Sequence, residues 1–369
     1  MIKILFVIHD LSMGGAEKVL VNLVNNMDKT KFDITVMTLF GGGINERFLS
    51  KDIRLLCCHS KMIPGNSKIM KLWTPQRLYS YYIKEHYDII VSYLEGPSAR
   101  IVSGCDDLDT KLVSWIHGEQ HTARKASASF RSYSEALKCY QRFDRTICVS
   151  DFVRRDFMNI YQLENPVEVL FNTNETTQII AKSKETISEA EFHENEINLV
   201  GVGKIIPSKG FDRLARIHKR LRDEGFSVHT YILGVGKQQG VIEKYLKDNH
   251  IENSFTFLGY QVNPYKYVAR CDLFVCTSFY EGFSTAATEA LIVGTPVCTV
   301  EVSGMKEMLG ENEYGIITKN DDEELYKAIK ELIKEPDLLK YYAEQARKRG
   351  RDFSTRQTVN AVEEMLLNL

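Results

Sequence analysis

Short runs of apolar and β-branched residues recur along this chain with helical patterns between them, and that alternation constrains the fold more than any other feature. IKILFVI, FDITVMTL, IRLLCC, YDIIVSY, KLVSWIH, RTICVS and VEVLFN come first; INLVGVG, VHTYILG, FTFLG, LFVCTS, TPVCTV and YGIIT follow. Runs so continuously apolar suit strands buried on both faces, as in a parallel sheet. Between them, Ala16 to Met27 places apolar residues at 16, 19, 20, 23, 24 and 27, and Phe211 to Leu221 at 211, 214, 217 and 221. Each set forms the single stripe of a half-buried helix. Strand and helix in alternation predict an α/β, doubly wound parallel sheet. The series breaks at 173–196, a polar stretch with no strand pattern. With 369 residues the chain exceeds the roughly 250–300 that a single core sustains, so two domains are expected. The division is 1–172, a linker region over 173–196, and 197–354, with helical patterns at 321–350 and 355–368 closing the chain.

Composition narrows the function. A net charge of −2 gives no global attraction to nucleic acid. The eight cysteines form no C-x-x-C pair and lie mostly inside apolar runs, the pattern of reduced, buried thiols in a cytoplasmic protein. MIKILFVI is too short for a secretory apolar region, and no later run approaches the ~18 residues of a membrane span. The expectation is a cytoplasmic protein that at most lies on a membrane.

Three segments carry chemistry. The first strand ends in HDLSMGGAEK, where Gly14 and Gly15 let a ligand approach the backbone and the following helix start favours an anion. A tight turn needing glycine explains the pair equally well. In the second half, INLVGVG runs through Gly203 into KIIPSKGFD, which puts Lys204 and Lys209 at the C-terminal edge of a sheet, where open α/β folds bind ligands. Two lysines in a solvated loop are the plain alternative. The third segment, TSFYEGFSTAATEALIVGTPV, sets Glu281 just before a helix that begins near Ser284 and Glu289 inside it. Eight residues of helix rise about 12 Å. A pair of glycosidase carboxyls stands only about 5–9.5 Å apart, so these two do not attack one bond. They suit the two ends of an extended nucleotide sugar, Glu281 on sugar hydroxyls and Glu289 on ribose, with the N–H groups of Gly282, Phe283 and Ser284 toward a diphosphate.

Taken together, EGFSTAATE, GKIIPSKGFD and GGAE resemble the E-x7-E, G-R-x4-K-G-x-D and glycine-rich loop segments of retaining glycosyltransferases of family 4. The resemblance runs in order along nearly the whole chain and includes WIHG, CVS, FLGY, ALIVGTPV and EYGIIT. It implies the GT-B arrangement: two Rossmann-like domains facing a cleft, acceptor in the first, nucleotide sugar mainly in the second, and a final helix, 355–369, returning to the first. By position it implies Glu281 at the donor sugar, Glu289 at the ribose, Lys209 at the diphosphate and His117 near the sugar C6 hydroxyl. Lys204 stands where the family usually has arginine, keeping the charge but losing the bidentate fork. Gly15 would lie over the phosphates, Gly259 and Tyr260 near the base, and Gly14, Gly15, Ala16 and Glu17 would form the acceptor-side loop.

The expected activity is transfer, with retention, of a hexose or N-acetylhexosamine from a nucleotide diphosphate, with UDP the favoured nucleotide. The acceptor is a glycan or lipid-linked glycan of a bacterial surface polysaccharide such as capsule or lipopolysaccharide, with no cofactor and no metal. A sugar-nucleotide 2-epimerase of the same fold and a non-catalytic nucleotide-sugar-binding protein are the alternatives. Three other signals have plain readings. Asp107-Leu108-Asp109 matches a D-x-D metal motif but sits in a polar turn, and GVGKQQG at 234–240 imitates a dinucleotide fingerprint without the ribose-binding acid. Basic residues at 124, 125, 131, 138, 142, 145, 154 and 155 are interleaved with acids, as on a solvated helix face or a weak peripheral contact with the inner membrane surface.

Overall fold

A computed structural model describes residues 1–62, 65–187, 192 and 195–369. The thirteen apolar runs are its strands: β1 (Ile2–Ile8), β2 (Phe32–Phe40), β3 (Arg54–His59), β4 (Ile89–Ser92), β5 (Lys111–Ile116), β6 (Arg145–Cys148) and β7 (Val167–Val169), then β8 (Ile197–Val202), β9 (Val228–Leu233), β10 (Phe255–Gly259), β11 (Leu273–Cys276), β12 (Val297–Val300) and β13 (Ile316–Thr318). They form a seven-stranded sheet of order β3-β2-β1-β4-β5-β6-β7 and a six-stranded sheet of order β10-β9-β8-β11-β12-β13. Every pairing is parallel, for example Val7 opposite Ser92 and Val200 opposite Phe274. In both sheets the winding reverses beside the first strand, between β1 and β4 and between β8 and β11. The loops leaving those two strands diverge there and leave a crevice at the C-terminal edge.

The chain divides into two compact units, Met1–Asn174 with Thr355–Leu369, and Glu175–Ser354. Of the stretch expected as a linker, Thr176–Ser183 is a helix of the second unit, where the Asn263 side-chain amide donates to the Lys182 carbonyl at 2.9 Å. Residues 188–191 and 193–194 of that stretch lie outside the described residues. The second core gathers Leu199, Ile232, Leu273, Val275 and Val300 with Leu214, Leu221 and Ile329 from the covering helices.

The helical stretch expected over 321–350 is two helices, Asp322–Lys334 and Pro336–Asp352. Pro336 lacks the N–H that a continuous helix needs, and its fixed φ suits a helix start. The closing helix Thr355–Leu367 packs on the first unit. There the buried Glu363 carboxylate accepts the Asp28 N–H at 2.6 Å and meets Lys31 at 3.4 Å, and the Thr355 hydroxyl donates to the Asn174 carbonyl at 2.7 Å.

Candidate active site

In the second unit the β8 and β11 loops meet where the winding reverses, which brings Lys209 to Glu281. The Lys209 Nζ and the Ser278 hydroxyl both donate to Glu281 Oε1 at 2.6 Å. Burial alone would lower the lysine's pKa, but the Glu281 carboxylate outweighs it and holds the ammonium above its ordinary value. The loops approach this closely because residue 210 is glycine: its φ is 65°, and a Cβ would stand 2.2 Å from the Thr277 carbonyl oxygen. The Thr277 hydroxyl donates to the Lys209 carbonyl at 2.8 Å, and the Phe279 N–H to the Ser208 carbonyl at 2.8 Å, which complete the bracing. Lys204 is exposed on the same loop, next to Gly203.

The helix after β11 spans Thr285–Val293, capped by the Ser284 hydroxyl, which accepts the Ala287 N–H. Glu281 therefore precedes the helix, and the sequence-based rise of eight helical residues does not describe its separation from Glu289, of which only 285–289 is helical. The two carboxylates do keep different company. Glu289 is 6% exposed and accepts from the Tyr265 hydroxyl at 3.4 Å, whereas Glu281 faces Lys209. A neighbour not anticipated from sequence is the loop after β12: a Cβ on Gly304 would stand 3.0 Å from the Gly282 carbonyl oxygen and 2.8 Å from the Phe283 ring. Beside it the buried Ser303 hydroxyl has no hydrogen-bond partner among the described residues. A Ser-Gly pair that follows the end of a strand after two intervening residues was the available signal. Gly259 has φ 67°, and its carbonyl accepts the Gly234 N–H at 2.8 Å; Tyr260 after it is exposed.

In the first unit, His117 follows β5. Its N–H donates to Glu95 Oε2 at 3.0 Å, and its ring lies 4.9 Å from that of Tyr93. Burial holds the imidazole's pKa down to about 3, so the ring is neutral at physiological pH, and its Nε2 has no hydrogen-bond partner among the described residues. Glu95, which sequence reasoning passed over, also accepts from the Gln120 side chain at 3.2 Å, and burial pushes its carboxyl pKa up. Across the reversal of winding, the β1 loop carries Asp10. His9 Nδ1 at 2.6 Å and the Ser12 N–H at 2.8 Å hold this carboxylate, the His9 bond dominating and lowering its pKa to about 2.

The first-unit helix starts at Gly15. The Glu17 carboxylate lies over Gly14, where a Cβ would stand 2.0 Å from Glu17 Oε2, so the negative charge expected at this helix start is provided first by the chain itself. Ala16 sits between them in the first turn. Three glycines follow β2, and the last of them braces the loop: a Cβ on Gly43 would stand 2.2 Å from the Leu11 carbonyl oxygen, and the Asn45 side chain donates to the Ser12 carbonyl at 2.6 Å.

The plain readings of the remaining signals fit the geometry. Asp107 accepts the Asp109 N–H at 3.0 Å and meets His86 at 2.9 Å, with Leu108 almost wholly in solvent. Gly234 and Gly236 pack under the Lys204 loop, where Cβ atoms would stand 1.8 Å from the Gly203 carbonyl oxygen and 2.2 Å from that of Ile205. Several of the basic residues over 124–155 are engaged internally: Arg154 and Arg155 on Asp151, Arg145 on Glu168 and Arg131 on Glu135. Among the described residues, no helix is long and apolar enough to cross a membrane, and no group of three or more His, Cys, Asp or Glu could hold a metal ion.

Two family models match in tandem, Glycosyltransferase Family 4 over residues 13–177 and Glycosyl transferases group 1 over residues 183–349. A Campylobacter jejuni relative, N-acetylgalactosamine-N,N'-diacetylbacillosaminyl-diphospho-undecaprenol 4-alpha-N-acetylgalactosaminyltransferase, is 29% identical over 50% of this chain and 49% of its own length, so the chain aligns with only about half of it. The Rhizobium meliloti lipopolysaccharide core biosynthesis glycosyltransferase LpsE is 21% identical over 90% of this chain and 89% of its own. Among solved structures, Anabaena HepE, in complex with UDP and glucose, superposes with a TM-score of 0.78 at 19% identity, covering 100% of both chains.

Proposed function

Because the chain belongs to the glycosyltransferases that these two family models describe, we propose that it transfers a hexose or N-acetylhexosamine from a UDP-sugar to a glycan or lipid-linked glycan, with retention and without a metal ion. The observation that carries this reading is the Lys209–Glu281 pair, held at 2.6 Å where the winding of the second sheet reverses and just before a capped helix start. A cation, a carboxylate and free helix N–H groups together match a sugar diphosphate: anion to the lysine and helix start, hydroxyls to the carboxylate. Glu289, one turn inside the helix, takes the ribose. The UDP and glucose held by HepE and the diphospho-undecaprenol in the name of the Campylobacter relative support the same assignment.

In the reaction the bond between the anomeric carbon and the β-phosphate oxygen breaks, and the acceptor oxygen bonds that carbon on the same face. The acceptor's proton passes to the departing phosphate oxygen, so no protein base is required. Lys209, Lys204 and the helix N–H groups stabilise the charge that develops on that oxygen. His117, neutral at working pH, acts as a hydrogen-bonding group toward the sugar rather than as a cation or an acid. Asp10 and the glycine loop at 14–15 serve the acceptor side. Thermal-shift measurements against UDP-, GDP- and ADP-sugars test the donor, since a ligand that binds only the folded protein raises its melting temperature. Stabilisation by UDP-sugars is expected; stabilisation by none of the three overturns the reading.

A further inference from the structure

Two arginines of the first unit hold the stretch Met70–Trp73 by its backbone. Arg100, fully buried, donates through its guanidinium to the Met70 and Trp73 carbonyls, both at 2.7 Å, and Arg131 donates to the carbonyls of Lys71 at 2.6 Å and Leu72 at 2.9 Å. Four successive carbonyls are thus gripped by side chains. Glu135 locks the grip, pairing with Arg100 at 3.0 Å and accepting the Arg131 N–H at 2.6 Å. An arginine taken wholly out of water needs such a partner, and removing either is costly.

What this rigid support displays is apolar. Leu72 is 77% exposed, and Ile69, Trp73 and Tyr81 also stand in solvent. Trp73 and Tyr81 pack edge to face with centroids 5.2 Å apart, so the aromatic rings are fixed and not simply loose on the surface. Scattered exposed apolar residues are ordinary, but a fixed cluster marks a contact surface. The segment itself carries only positive charge: Lys61, Lys68, Lys71, Arg77 and Lys84 lie between Ser60 and Lys84, with no Asp or Glu among them. This sign disfavours a second copy of the same face, which would meet like charge.

We propose that residues 66–84 dock on an anionic lipid bilayer. Ile69, Leu72 and Trp73 enter the headgroup region, and Lys68, Lys71, Arg77 and Lys84 face the lipid phosphates. An aliphatic tip, amphipathic aromatic rings and a ring of cations are the complement of that interface. The docking surface would bring the first unit to a lipid-linked acceptor, but it stands on its own observations and does not depend on the donor assigned above.

The test is sedimentation of the full chain with vesicles of phosphatidylglycerol mixed equally with phosphatidylcholine, alongside pure phosphatidylcholine vesicles and the tryptophan emission spectrum. Trp115, the other tryptophan, is buried, so Trp73 reports. Binding to the anionic vesicles with a blue-shifted emission is expected. Partitioning should fall roughly tenfold in the Leu72→Ser, Trp73→Ala double variant and weaken with added salt. Calorimetry with UDP on the same variant checks that the protein is folded and keeps failure of the donor assignment separate. Equal partitioning of variant and wild type, equal binding to pure phosphatidylcholine, or a wild-type dimer that the variant loses would each overturn the proposal.

Discussion

Glu281 receives Lys209 and Ser278 at the same oxygen, so its orientation is set before any donor arrives. Replacing it by glutamine keeps the shape and removes the charge. Glu281→Gln is expected to lower kcat by roughly a hundredfold, because it would orient the transferred sugar, while leaving free UDP affinity within about a factor of two. The same substitution removes the group that holds the Lys209 ammonium up, so the alkaline loss of activity should move to lower pH. An unchanged pH profile measured by steady-state kinetics would contradict the pairing. A second residue-scale effect concerns acid stability. His218, hydrogen-bonded to the Ser254 and Thr230 hydroxyls, is held down to about 3 by burial. Below the ordinary value of about 6.5 the unfolded chain binds a proton that the native histidine refuses, so stability falls as pH drops from there toward 3, by at most ~1.4 kcal/mol per pH unit for each such group. His117 acts the same way in the first unit. His218→Gln should flatten this slope in urea unfolding of the second unit between about pH 7 and pH 5; an unaltered slope would count against a neutral, buried His218.

Glycines decide the loops. Gly234→Ala would drive a Cβ to 1.8 Å from the Gly203 carbonyl oxygen, on backbone that cannot yield as a side-chain tip can. We expect a loss of roughly 2–4 kcal/mol in equilibrium unfolding and a raised KM for the donor, since the Lys204 loop must shift. Gly240→Ala, further along the chain in the helix Gln239–Asp248 and with open space around it, serves as the control and should leave the KM unchanged and stability equal or slightly raised. Equal effects of the two would mean that the packing under the Lys204 loop is unimportant. The strands themselves were legible because a parallel sheet buried on both faces leaves a continuous apolar run, a signal that survives without knowing the partners. The helix starts at Gly15 and Phe211 were legible from the stripes alone. The Lys209–Glu281 contact was not, since it joins two loops through the order of strands in a sheet, which no local spacing encodes. The helix start near Ser284, with Glu281 before it and Glu289 inside it, was legible too; counting all eight residues between them as helix was not sound, since only 285–289 belong to it. Glu95 and Asp10 were missed because a single carboxylate after a strand looks the same in sequence whether it lies in solvent or under a loop.

For the molecule as a whole, nucleotide binding is assigned to the unit Glu175–Ser354 and acceptor chemistry to the unit Met1–Asn174 with Thr355–Leu369. Each unit has its own sheet and its own reversal of winding, so a substitution in the β1 loop of the first should leave UDP binding by the second undisturbed. Turnover, in contrast, needs both, and should persist in EDTA if, as proposed, Lys209, Lys204 and the helix start take the place of a divalent ion at the diphosphate. Activity lost in EDTA and restored by magnesium or manganese would refute that. The most direct test of the division is calorimetric titration of UDP into the full chain carrying Glu289→Gln or Asp10→Asn. Glu289→Gln should weaken UDP by roughly 1.5–3 kcal/mol, the contribution of a charged hydrogen bond, whereas Asp10→Asn should abolish turnover and leave UDP affinity within about a factor of two. Loss of UDP affinity in Asp10→Asn equal to that in Glu289→Gln, or none in Glu289→Gln, would contradict the assignment of the donor to the second unit.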